Sequence, residues 1–176
     1  MLADRVRIGR KKEEKNEYIG EVYLAQDDDF VKVNNWWVYR GSELEIEIPH
    51  IIQGEEVTAY NFMFHGSGSY LATPVTRVDS NNKMVTSMGN MFRDSSATTL
   101  DLSNFDTSNV TNMDRIFQNS SATTLDLSSF DTSNLTSMAR LFQDCRATTG
   151  YARTQADAAM FNASTYKPSA LVFVVK

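Results

Sequence analysis

Val85-Thr-Ser-Met-Gly-Asn-Met-Phe-Arg-Asp-Ser-Ser-Ala-Thr-Thr-Leu-Asp-Leu-Ser-Asn-Phe-Asp-Thr-Ser-Asn109 aligns without a gap on Val110 to Asn134, with 18 of 25 positions identical. An internal period of this kind decides the fold before local propensity does, because one short copy cannot bury its apolar face alone and must stack on the next. A third copy begins at Leu135 and matches the second at 8 of 15 positions up to Thr149, departing where Gly150 stands in place of the expected leucine. A looser copy starts near Val57. Val57 and Phe64 keep the spacing of seven found in Val85/Phe92, Val110/Phe117 and Leu135/Phe142, and its three extra residues fall in the Gly66 to Ser69 stretch, where a loop lengthens at small entropic cost.

Within each copy the apolar period changes. Val110, Met113, Ile116 and Phe117 lie at i, i+3, i+6 and i+7, which predicts a short helix of about two to three turns. Asp106 to Asn109 precedes it and is rich in side chains that accept from free helix N–H groups. Leu125-Asp-Leu127 alternates and predicts a short strand. Stacking would set Met88 over Met113 over Met138, Phe92 over Phe117 over Phe142, and Leu100 and Leu102 over Leu125 and Leu127. Parallel strands stack about 4.8 Å apart and helices about 8 to 10 Å, so such a stack would curve with its strands on the concave side.

Working outward, an open stack needs caps. Arg153 to Asn162 reads as a helix in which Met160-Phe161 takes the place of the repeat's own pair, and Leu171 to Val175 reads as the last strand. At the other end Glu43 to Pro49 alternates apolar and acidic residues as an opening strand. Tyr18 to Leu24, Phe30 to Val33 and Trp36 to Tyr39 are strand-like pieces separated by Asp27-Asp-Asp29 and Asn34-Asn35. Three regions follow: a charged arm over 1–17, expected to be mobile unless a partner orders it; a small β docking element over 18–42; and the repeats over 43–176, with units starting near 57, 85, 110 and 135 and a cap over 150–176.

Seventeen Lys+Arg against 22 Asp+Glu give a net charge of -5 in 176 residues, which argues against a nucleic-acid binder, since phosphate neutralisation needs a basic face. The longest apolar run, Ala170 to Val175, is too short to enter and cross a bilayer. One cysteine, Cys145, allows no intrachain disulfide, and two histidines leave little for a zinc site; no metal and no cofactor is expected. The charged N-terminal stretch has no apolar core of a secretory signal, so export by that route is not expected.

The unit Val110-Thr-Asn-Met followed by Phe117, then Ala122-Thr-Thr-Leu-Asp-Leu-Ser-Ser-Phe-Asp-Thr-Ser-Asn134, resembles the BspA-like, DUF285-type leucine-rich surface repeat of mycoplasma and Gram-positive surface proteins. The likeness covers about Glu43 to Val175. Gly150-Tyr-Ala-Arg-Thr-Gln-Ala-Asp-Ala158, Phe161-Asn162 and the closing Val-Phe-Val-Val are similar to the ending of phage-encoded members, which also share the Ile48-Pro-His-Ile-Ile-Gln-Gly-Glu-Glu-Val-Thr58 lead-in. The resemblance implies an α/β fold, a short curved leucine-rich-repeat-like solenoid of helix-strand units with a parallel sheet, beside the small N-terminal β element. It implies adhesion or virion structure rather than catalysis.

Asp101/Asp126 and Asp106/Asp131 recur once per copy, as turn and face residues do, and offer no isolated acid or base. Asp27 to Asp29 lacks the glycine and spacing of an EF-hand loop and reads as a solvated turn. Cys145 replaces Ser95 and Ser120 of the other copies and reads as an inert substitution, and the methionine column reads as core. Alternation turns Thr99, Asp101, Ser103, Thr124, Asp126 and Ser128 outward as a polar array that could bind a glycan or a protein edge. Trp36 and Trp37 face opposite sides of one strand, so one is expected in a core and the other at an interface. The expected function is a non-enzymatic phage virion protein on tail, baseplate or capsid, localised to the particle. Its N-terminal region would contact other virion proteins and its repeats a host-surface glycan or protein, without nucleic acid or membrane insertion, as a homo-oligomer in the particle. A bacterial surface adhesin is the alternative, and a carbohydrate-active enzyme a more distant one.

Overall fold

The structure is a computed structural model that describes residues 7–11, 18–24, 27–40, 46–61, 63–64, 76–78, 85–103 and 105–176. In chain order the strands are β1 (Arg7–Lys11), β2 (Tyr18–Leu24), β3 (Phe30–Val33), β4 (Trp36–Tyr39), β5 (Ile46–Ile48), β6 (Ile51–Ile52), β7 (Glu55–Glu56), β8 (Thr76–Val78), β9 (Thr124–Leu127) and β10 (Thr149–Ala152); α1 (Gln155–Asn162) and β11 (Val172–Val175) follow. It is a mixed helix and strand structure with little helix and small parallel sheets. β1 pairs antiparallel with β2, and β2, β5 and β8 run parallel, so the charged N-terminal stretch contributes a strand. A strand forms within the expected Glu43 to Pro49 stretch as β5, but it lies between β2 and β8, in a sheet separate from β9 to β11, and so opens no sheet of the repeats; the Gly66 to Ser69 loop lies outside the described residues.

β3 and β4 form a hairpin whose two turn residues, Asn34 and Asn35, both take positive φ (49° and 69°). A two-residue turn of this hand matches the right-handed twist of the strands it joins, and asparagine tolerates it better than most residues. Phe30, Trp37 and Tyr39 from the hairpin pack into the same core as the repeats; the Tyr39 N–H donates to Met63 O at 3.0 Å, and the Tyr39 ring lies 5.9 Å from that of Phe64. Asp27 to Asp29 is a single 3-10 turn, and the Asp27 carboxylate accepts the Gln53 N–H at 2.7 Å, a structural use of the acidic run.

Residues twenty-five apart in the repeats are neighbours in space. Parallel bridges join Ala59 to Ser87, Ser87 to Asn112 and Asn112 to Ser137. The rings of Phe64, Phe92, Phe117 and Phe142 form one column with centroids 5.6, 6.1 and 6.1 Å apart and planes within 9°, 3° and 2° of parallel. The looser first copy joins the column with its three-residue offset intact. Met88 and Met113 are buried beside the rings, and Met138 is partly so.

The helices expected at the start of each copy are not formed. Among the described residues α1 is the one α-helix, and the segments around Met88–Asp94, Met113–Asn119 and Met138–Asp144 are successive β-turns. Asn90 and Asp94, Arg115 and Asn119, and Arg140 and Asp144 all have φ between 55° and 59°. One residue in four in the left-handed region breaks any helix. It also turns backbone groups sideways. Met88, Asn90, Phe92 and Asp94 donate to Asn112, Asp114, Ile116 and Gln118 in the next copy, and Met113, Arg115, Phe117 and Asn119 repeat the pattern one layer on, all at 2.8 to 3.1 Å. Backbone hydrogen bonds that a helix would close on itself instead knit the layers together. The wider helix-to-helix spacing on which the expected curvature rested is therefore absent. Asp106 likewise caps no helix: its carboxylate accepts from Ser108 N–H and Oγ at 3.0 and 2.6 Å, an Asx turn.

Leu100 to Leu102 carries no strand; Ser129 Oγ donates to Leu102 O at 3.0 Å, but the three-stranded sheet ends at β9. Beyond the repeats, Thr154 caps α1 by accepting the Asp157 N–H at 3.1 Å, and Phe161 packs edge-on against Phe142, centroids 5.8 Å apart, so the ring column stops at the cap. Among the described residues no helix is long and apolar enough to cross a membrane.

Candidate functional site

β9, β10 and β11 lie side by side and parallel, and their register sets the composition of both faces. Leu125, Gly150 and Phe173 form one inward row, flanked by buried Leu127 and Ala152. Outward rows are Thr124, Thr149 and Val172, then Asp126, Tyr151 and Val174. Gly150 departs from the repeat's leucine because Phe173 fills that space: a Cβ on residue 150 would lie 2.4 Å from its ring carbons.

Each outward aspartate closes a local turn. Asp101 Oδ1 accepts from Ser103 N–H and Oγ at 3.1 and 2.6 Å, and Asp126 Oδ1 accepts from Ser128 N–H and Oγ at the same distances. Lys176 Nζ reaches Asp126 Oδ2 at 2.5 Å. Burial raises the Asp126 pKa, but the hydrogen bonds from Lys176 and Ser128 outweigh it, and the carboxyl titrates below its ordinary value; Lys176 is raised by the same contact. Asp131, the next aspartate along, is bound by Arg153 at 2.9 Å and by Ser133, which hold it far below the usual carboxylate range.

Between the layers that start at Val85 and Val110, where Leu100 to Leu102 leaves the sheet, an open groove of about 540 Å³ is lined by Leu100, Asp101, Leu102 and Ser103 on one side and Asp126, Ser128, Ser129 and Lys176 on the other. Four residues of the polar array read from the sequence therefore meet in one place: Asp101, Ser103, Asp126 and Ser128. Thr99 and Thr124 are exposed but do not line the groove. Trp37 is buried in the core and carries Lys32 Nζ 5.1 Å over its ring; Trp36 is half-buried, and neither tryptophan reaches the groove. Lys176 is an addition to the lining, and Tyr151, outside the lining, lies under its ammonium. They lie outside the repeated unit, so no column of like residues announces them; parallel pairing of β9, β10 and β11 brings them beside Asp126.

The groove offers hydroxyls, two carboxylates and one ammonium over a partly apolar floor. Among the described residues no group of three or more His, Cys, Asp or Glu side chains could hold a metal ion. Cys145 is buried, and burial pushes its thiol pKa up, away from the thiolate that reacts.

No curated protein and no solved structure matches the chain. A family model described as "Mycoplasma protein of unknown function, DUF285" matches residues 44–155, well over half of the chain and the whole of the stacked region up to the cap. With the repeat, its layer contacts and that match in agreement, the chain belongs to the DUF285 family.

Proposed function

We propose that this chain is a non-enzymatic binding and structural protein of a phage virion, carried on tail, baseplate or capsid. Its stacked layers make a short leucine-rich-repeat-like solenoid displayed outward, and its N-terminal strands dock to other virion proteins. The observation that carries the binding reading is the groove between the layers that start at Val85 and Val110, where Asp101, Ser103, Asp126 and Ser128 converge on an open, mixed polar and apolar surface. Both carboxylates there are engaged as turn acceptors, a use that favours recognition over acid–base chemistry. The phage assignment draws on the likeness of Ile48 to Thr58 and of the segment from Gly150 onward to phage-encoded members of the BspA-like group. Contact with a host-surface glycan or protein and assembly as a homo-oligomer on the particle complete the reading.

Mass spectrometry of purified particles tests it: the protein is expected among the virion components, and its absence from them rejects the assignment. The family description names Mycoplasma proteins, which favours a bacterial surface adhesin as second reading. Genes for tail or capsid proteins alongside support the first, and genes for cell-surface proteins support the second.

A further inference from the structure

Asp126, Tyr151 and Val174 are register neighbours on the outward face of the three-stranded sheet. Lys176 folds back across them. Its Nζ is 2.5 Å from Asp126 Oδ2 and 5.5 Å from the centre of the Tyr151 ring. A carboxylate on one side and an aromatic face on the other is the chemistry that recognises a primary ammonium. The lysine is loosely held: its side chain is 57% exposed and that of Asp126 36%, and exposed ion pairs of this kind exchange readily against competitors.

The same place opens into the groove, which adds a second carboxylate, Asp101, and an apolar lining from Leu100 and Leu102. Val174, exposed beside Tyr151, extends that apolar surface. Aliphatic surface under a carboxylate-aromatic pair suits a long alkyl stem ending in a charge, and the stem already lying there is a lysine's. The net charge of -5 would draw a basic partner toward it.

We infer that Asp126, Tyr151 and Asp101 form a receptor for a lysine side chain of a partner protein, which Lys176 occupies in the free molecule and yields on binding. This deepens the binding reading above and rests on it for the claim that this face meets partners.

The probe is the peptide acetyl-Gly-Lys-Gly-Lys-Gly-amide, titrated into the full chain while the Tyr151 ring resonances are followed by NMR, with the norleucine-for-lysine peptide and glucosamine as comparisons. Lys176→Gln is expected to bind the lysine peptide about two- to fivefold tighter than wild type, the size expected for release of an exposed ion pair. The norleucine peptide should not bind, and Asp126→Asn added to Lys176→Gln should abolish the gain. Equal affinity in wild type and Lys176→Gln, or binding indifferent to Asp126→Asn, overturns the inference, as does binding of glucosamine in place of the peptide. Should Asp126→Asn disturb the turn at Ser128, Tyr151→Leu in the Lys176→Gln background serves instead, with binding followed by calorimetry against Lys176→Gln alone, and undiminished binding there counts against the receptor. Lysine binding by a protein absent from particles would reject the virion assignment alone; a virion protein indifferent to lysine would reject the receptor alone.

Discussion

Asn162 holds Phe173 by both ends of its side-chain amide: Nδ2 donates to Phe173 O, and Phe173 N–H donates to Asn162 Oδ1, each at 2.9 Å. The amide thus does for the outer edge of β11 what a neighbouring strand would do. An open edge invites pairing with another chain, and this one is flanked by Val172 and Val174, 53% and 48% exposed. Asn162→Ala should therefore cost about 1 to 3 kcal/mol, the usual range for stranding such groups, and make self-association concentration dependent. Thermal melts and sedimentation at two concentrations check both parts.

Gly150 and Phe173 are expected to behave as a size-matched pair. Gly150→Leu restores the residue type of the repeat yet drives a side chain into the Phe173 ring, where even a Cβ would sit at 2.4 Å. Overpacking of this kind costs about 1 to 3 kcal/mol or more, and Phe173→Ala alone about 3 to 5 kcal/mol. The double variant should lose clearly less than the sum of the two, because each change makes room for or fills what the other leaves. Denaturant titration of the four proteins measures the difference.

Phe117 has a parallel ring on each side, Phe92 and Phe142, both 6.1 Å away. Phe117→Ala should cost about 3 to 5 kcal/mol through lost burial and the cavity it leaves. Exposed Thr111→Ala should change stability by no more than about 1 kcal/mol, since only its hydroxyl bond to Thr86 O, at 3.2 Å, is lost. Urea unfolding midpoints of the two variants separate core from face.

Acid should loosen the cap. Burial raises the Asp157 pKa, but hydrogen bonds from Thr132 and Thr154 and the charge of Arg153 outweigh it, so the folded value lies below the ordinary one. A carboxyl lowered on folding contributes stability that is fully present above its unfolded pKa, about 4, and is lost as pH falls through the folded value. Melting temperature should therefore drop between pH 4 and the acid limit, and Asp157→Asn should be less stable at pH 7 with a flatter acid limb. Equal slopes for the two proteins would show that Asp157 carries none of the effect.

The layer structure was legible because it rests on identity between copies: Phe92, Phe117 and Phe142 align in the sequence and stack in space. Turns and helix look alike in this sequence because β-turns repeating every four residues bury side chains at nearly helical intervals, as Met113, Ile116 and Phe117 do. Asn90, Asp94, Asn119 and Asp144 are residues that accept positive φ, and they could have warned of it; Arg115 and Arg140 at φ 56° and 57° give no such warning. At the site, Asp101, Ser103, Asp126 and Ser128 were visible as outward alternation. The 25-residue register already sets Tyr151 beside Asp126, though no like residue marks it; Lys176 was not visible, because β11 pairs with β10 out of that period, Tyr151 opposite Val174.

Ring-to-ring nuclear Overhauser effects in protein labelled at phenylalanine test most directly whether like residues of successive copies are stacked. Contacts between the ring protons of Phe92 and Phe117 and between those of Phe117 and Phe142, with none between Phe92 and Phe142, are the predicted pattern. Rings of Phe117 and Phe92 that show no mutual contact in the folded protein would contradict the layered architecture, and with it the groove and the binding face built on it.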